Sequence, residues 1–163
     1  MLTRTGEGEV IKVQLQVLIL AIAIIAVAAG CGGGGGSQAA ELTKKQVIKR
    51  GDAICVRTDK QQEVGLAKYQ EEHSSQEVVT PAGQAKVVRE VGLPPVMKEA
   101  EELAGLQGPA SSQHQLDAIV DASKEAVKEA EKDPKLVLEG EGPFTKPDRL
   151  AKNYGFKACA EMI

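Results

Sequence analysis

The chain has 163 residues, with 20 Lys and Arg against 23 Asp and Glu and a formal net charge of −3. The cations are spread along the sequence, which excludes the concentrated basic field that nucleic-acid binding requires. Aromatics are scarce, with no Trp, two Tyr and two Phe, which argues against sites that stack sugars or bases.

Residues 17–30 read VLILAIAIIAVAAG, without a polar side chain, behind Lys12. A basic flank, a short apolar run and small residues at its end are the parts of a secretory signal. A spanning helix needs about 20 apolar residues, more than this run supplies, so an uncleaved anchor is the second reading. The run ends in Ala28-Ala29-Gly30-Cys31, which resembles the lipobox of bacterial lipoproteins. The resemblance implies transfer of a diacylglyceryl group to the Cys31 thiol and cleavage between Gly30 and Cys31. Residues 1–30 are then a signal peptide, and the mature protein is exported and lipid-anchored to the outer face of the cell membrane. Ala28 departs from the family pattern, which more often has Leu at that place.

Glu7 and Glu9 sit oddly in a segment that should be basic. A start at Val10 leaves a more ordinary head, and we hypothesise that translation begins there. A peptide from the uncleaved precursor containing Thr3 would refute it.

Five glycines, residues 32–36, and Ser37 follow Cys31. Such a composition is a flexible tether, and residues 31–41 are expected to reach roughly 17 Å. The domain should therefore ride close to the bilayer. A single acyl chain binds marginally, whereas two hold stably, at about 0.8 kcal/mol per buried methylene.

Residues 42–163 are expected to form one small all-α bundle of four or five helical pieces. Thr43 with Gln46 is a capping-box pair opening a helix that runs to about Glu72. Its apolar side carries Val47, Ile48, Gly51, Ile54, Cys55, Thr58, Gln62, Leu66 and Tyr69. After a break at Ser74 and Ser75, a second stretch begins near Pro81. Gly92-Leu93-Pro94-Pro95 should interrupt it, because two prolines remove donors and clash with the preceding turn. The phase of the apolar residues also shifts there. Ser111 or Ser112 is the expected cap of a helix from about Gln113 to Lys132, whose stripe is Leu116, Ile119, Val120, Ser123, Val127 and Ala130. Its outer face offers Asp121 with Lys124, Glu125 with Lys128 and Glu129 with Lys132. A last helix carries Pro147 in its first turn and ends at Gly155.

Besides Cys31 there are two cysteines, Cys55 and Cys159. In an oxidising compartment they are expected to pair, tying the last segment to the first helix. Phe144, Tyr154 and Phe156 should pack around that staple. His73 and His114 lack companions at metal-ligand spacing and read as solvent-exposed, so neither a metal nor a cofactor is expected. Glu99, Glu101 and Glu102 read as a solvated helix face, and no catalytic constellation is visible. Lys44, Lys45, Lys49 and Arg50 lie just beyond the tether, and we hypothesise that they contact anionic lipid headgroups.

Ile54-Cys55, Leu93-Pro94-Pro95 and Tyr154-Gly155-Phe156 resemble patterns in small helical lipoproteins of high-GC Gram-positive bacteria. That resemblance implies fold and location without an activity. The expected function is a non-enzymatic interaction or structural module of the cell envelope. Its expected partners are the membrane, through the lipid on Cys31, and an envelope protein, with no nucleic acid. The alternative is a binder of a small apolar or amphipathic ligand within the bundle, and an enzyme comes third.

Overall fold

A helix must satisfy its first backbone N–H groups, and Thr43 does so. Its hydroxyl accepts from the Gln46 N–H at 3.3 Å while the Gln46 side chain accepts from the Thr43 N–H at 2.9 Å. Helix α1, Lys44–Glu72, follows. The computed structural model describes residues 41–138 and 142–160. The signal-like run, Cys31 and the glycine run lie outside them. After α1 come the single turn α2 (Ser75–Val78), α3 (Pro81–Val87), a π-helical turn (Val88–Gly92) and α4 (Leu93–Ala104). Then follow α5 (Ala110–Lys132), the single turn α6 (Lys135–Leu138), α7 (Thr145–Tyr154) and a 3₁₀ turn (Ala158–Ala160). The described residues contain no strand, and the fold is an all-α bundle.

Helix α5 packs on α4 and on α7, while α1 packs on α4 and on the 3₁₀ turn. One core cluster joins Val47, Ile54 and Cys55 to Leu103, Leu116, Ile119, Tyr154, Phe156 and Cys159. A second joins Val88, Leu93 and Val96 to Ala126, Val127, Ala130 and Phe144. Phe144 thus leaves the neighbourhood of the staple, contrary to expectation, and fills the other end of the bundle. Leu66, placed on the apolar stripe of α1 by spacing, is exposed, because α4 covers only part of that long helix.

The expected interruption at Gly92-Leu93-Pro94-Pro95 does not occur. Backbone torsions stay right-handed helical through Val88, Gly92 and Leu93. The Leu93 N–H donates to Val88 O, five residues back. This π turn adds one residue to the helix, which is the phase shift visible in the apolar pattern. It returns Val88 and Leu93 to one buried face although they stand five apart. The prolines then fall in the first turn of α4, where a missing N–H costs little. The Gln62 side chain braces the turn from α1, donating to Gly92 O at 3.1 Å.

Helix α5 begins before the serines expected to cap it, with Pro109 at the N-cap. Its first N–H, that of Ala110, donates to the Glu41 carboxylate at 2.9 Å. The Leu42 N–H donates to Gln107 O at 2.8 Å. The entering chain therefore supplies what a local serine would have supplied. Along the outer face of α5, Glu125 pairs with Lys146 of α7 at 3.3 Å and not with Lys128.

Gly155 ends α7 with φ 111°, a left-handed conformation that favours glycine. Its N–H and that of Phe156 both donate to Ala151 O at 3.1 Å, which satisfies an open helix-end carbonyl. Phe156 then lies against the bare backbone of Gly51, where a Cβ would overlap its ring. Helix propensity alone favours alanine at Gly51 by about 1 kcal/mol. Overpacking typically costs about 1–3 kcal/mol, and Phe156 is buried and stacked on Tyr154, with little room to retreat. Gly51→Ala is therefore expected to lower the urea midpoint of unfolding; a raised midpoint would show that the ring moves aside freely.

Candidate functional site

The structure arranges the residues singled out by sequence into two regions. At one, Cys55 of α1 and Cys159 of the 3₁₀ turn form a disulfide with a Cα–Cα distance of 5.2 Å and both residues wholly buried. The bond closes a loop of 104 residues, which in the chain-entropy account constrains the unfolded state by about 4 to 5 kcal/mol. The approach to this bond is held by Asp52, whose carboxylate accepts from the Lys157 and Ala158 N–H groups at 2.8 and 2.9 Å. Tyr154 and Phe156 stack with ring centroids 4.9 Å apart. The Lys44 ammonium lies 4.7 Å from the Tyr154 ring centroid. That contact offsets the cost of a cation in a helix's first turn.

Lys44, Lys45, Lys49 and Arg50 are all exposed, but they do not form one group. Lys45, Lys49 and Asp52 recur at i, i+4 and i+7, so the two lysines flank the C-terminal segment that Asp52 holds. Arg50 shares its face with Arg57, seven residues on. Arg57 is paired with Glu102 of α4, which puts Arg50 on the opposite flank of α1.

The second region is a buried carboxyl that sequence reasoning missed. Glu101 is exposed, as expected of a solvated face, and Glu102 is partly buried against Arg57. Glu99, however, is only 2 % exposed. It stands three residues after Val96 and four before Leu103, both buried, so helical spacing carries it inward with them. The signal was available in that stripe, but neighbouring charges drew the three glutamates into one group. Burial pushes the Glu99 carboxyl up from 4.5 to about 7. The Thr58 side chain favours the ionised form through a hydrogen bond, while Asp59, Asp148 and Glu102 repel it. One oxygen, Oε2, is buried without a hydrogen-bond partner in the protein.

No protein-family model, curated protein or solved structure matches this chain.

His114 is exposed near the start of α5 and is not among the groups acting on Glu99. His73 is half-buried, which corrects the expectation of a solvated side chain. Its ring stacks on Tyr69 at 4.0 Å and its Nδ1 meets Tyr69 O at 3.0 Å. Ser112 is buried with its hydroxyl donating to Pro109 O. Among the described residues no three of His, Cys, Asp and Glu are placed to hold a metal ion. A surface groove between α5 and the start of α7 is lined by Glu125, Glu129, Lys146 and Arg149 beside small residues. Its walls suit charged groups better than an apolar ligand.

Glu99 makes stability pH-dependent in a defined sense. Between 4.5 and about 7 the folded state holds a proton that the unfolded state has released, so stability falls as pH rises. The contribution is fully present below 4.5 and is lost as pH rises through about 7, a change of at most about 3 kcal/mol. Glu99→Gln should flatten this window and stabilise the domain at pH 8. Denaturant unfolding across that range tests it, and an unchanged slope in the variant would remove Glu99 as the cause.

Proposed function

We propose that this chain is an exported cell-envelope protein, anchored to the membrane by lipid on Cys31 and acting as a non-enzymatic interaction or structural module. The observation that carries the reading is the partition of three cysteines. Two are joined in a fully buried disulfide, a bond that persists in oxidising compartments outside the cytosol. The third, Cys31, follows Ala28-Ala29-Gly30 at the end of a signal-like apolar run, and the pairing of the other two leaves its thiol for acylation.

The disposition of polar groups supports the non-enzymatic part of this reading. Glu99 is closed off from solvent, and the residues acting on it are a threonine and further carboxylates. Neither histidine is among the groups acting on that carboxyl. The exposed surface, by contrast, is rich in charge, some of it paired, as in Glu125 with Lys146 and Arg57 with Glu102, which suits a module that meets polar partners.

An intact mass of the unreduced protein, extracted from the membranes of an expressing bacterium, tests this reading. The expected species begins at Cys31, is heavier by acyl groups, and is two hydrogens lighter than the dithiol. A species retaining residues 1–30 would mean an uncleaved anchor and would overturn the lipoprotein assignment.

A further inference from the structure

Resting on the anchored reading above, we infer that the domain docks on an anionic bilayer through one composite basic end. It is built from Lys44, Lys45 and Lys49 of α1 together with Lys152 and Lys157 from the C-terminal segment. Nothing in the linear sequence joins these two groups; packing does. The Lys44 ammonium over the Tyr154 ring seats the start of α1 on the end of α7. A Cβ at Gly155 would lie 3.2 Å from the Ile48 side chain, so the α7 terminus rests on the second turn of α1. The Lys157 N–H on the Asp52 carboxylate holds the following residues alongside the same helix. All five lysines are exposed, and among the described residues none of them forms an ion pair.

Among the described residues, three carboxylates near this end accept hydrogen bonds from within the fold. Glu41 accepts from the Ala110 N–H, Asp52 from two backbone N–H groups, and Asp117 from the Gln113 amide. The end therefore presents five ammonium groups in a chain whose overall charge is −3. It is also where the anchored chain enters. Leu42 is hydrogen-bonded to Gln107 and Glu41 to Ala110, directly before α1, and Cys31 lies only ten residues upstream of Glu41. Anionic headgroups attract cations held near their surface and are screened by salt. An anchor attached at this end keeps those cations where that attraction acts. Arg50, on the other flank of α1, does not belong to the docking face.

Lysine acetylation rates, read by mass spectrometry on the full chain bound to vesicles, test the docking. One vesicle is phosphatidylcholine alone and the other contains an equal part of phosphatidylglycerol. On the anionic vesicles Lys44, Lys45, Lys49, Lys152 and Lys157 should react about fivefold more slowly than on the neutral ones. Lys128 and Lys132, far along α5, should not change, and high salt should abolish the difference. The double variant Lys152→Gln, Lys157→Gln should restore most of the reactivity of Lys45 and Lys49, whereas Arg50→Gln should leave their protection intact. Equal rates on both vesicles would overturn the docking while leaving the anchor standing. Equal slowing on both would also overturn it, since proximity alone would then suffice. Stronger slowing by soluble polyphosphate than by anionic vesicles would reassign the face to a soluble polyanion. A chain that fails to float with either vesicle would remove the anchor, and the docking with it.

Discussion

The seating of the last described residues against α1 is the constraint from which the remaining packing follows. Phe156 occupies the space left by Gly51, Asp52 holds the backbone beyond it, and the Cys55–Cys159 bond closes the arrangement covalently. Each element depends on the one before. The left-handed turn at Gly155 points Phe156 toward α1, and only a residue without a Cβ at Gly51 lets the ring approach the helix so closely. Once that end of α7 is fixed, α5 is held between α7 and α4. A domain with four aromatics has little apolar volume to commit, and here two of them, Tyr154 and Phe156, share the core cluster of the staple. The disulfide and the core thus reinforce the same contact.

The interface of α1 with α4 is different in kind. Its links include a sequence of polar contacts along one helix: Arg57 to Glu102, Thr58 beside Glu99, and Gln62 to Gly92 O in the π turn. Polar groups removed from water are costly unless matched, and matching demands one register. The π turn is part of that matching. It rotates Val88 and Leu93 onto the same face and leaves Gly92 O in place for the Gln62 amide. Glu99 remains incompletely matched, with Oε2 buried and carboxylates around it. Its proton therefore substitutes for a missing cationic partner.

Charge is separated along the bundle in a way that the near-neutral composition conceals. Ammonium groups gather where the chain enters and where α7 ends, while Glu41 and Asp52 there accept from backbone N–H groups and Asp117 from the Gln113 amide. Other carboxylates stand around the buried Glu99, and along the outer face of α5 acids alternate with lysines. Glu41, Asp52 and Asp117 keep their charge, but none of them forms an ion pair with the lysines of that end among the described residues.

Local rules were sufficient for a large share of the fold. The Thr43–Gln46 capping box, the inward stripe of α5, the stop at Gly155 and the pairing of Cys55 with Cys159 were all legible, because each depends on residues within a turn or on a simple count. Glu99 was half-legible: its spacing with Val96 and Leu103 pointed inward while its charge pointed outward, and periodicity prevailed. The continuity of the helix through Pro94 and Pro95 was decided in three dimensions. A π turn forms where its extra residue is repaid by burying both Val88 and Leu93 against α5. The same holds for the cap of α5, supplied by Glu41 from far upstream, and for the union of Lys44, Lys45 and Lys49 with Lys152 and Lys157. Those relations join residues from 69 to more than 100 positions apart, and only packing brings them within reach of one another.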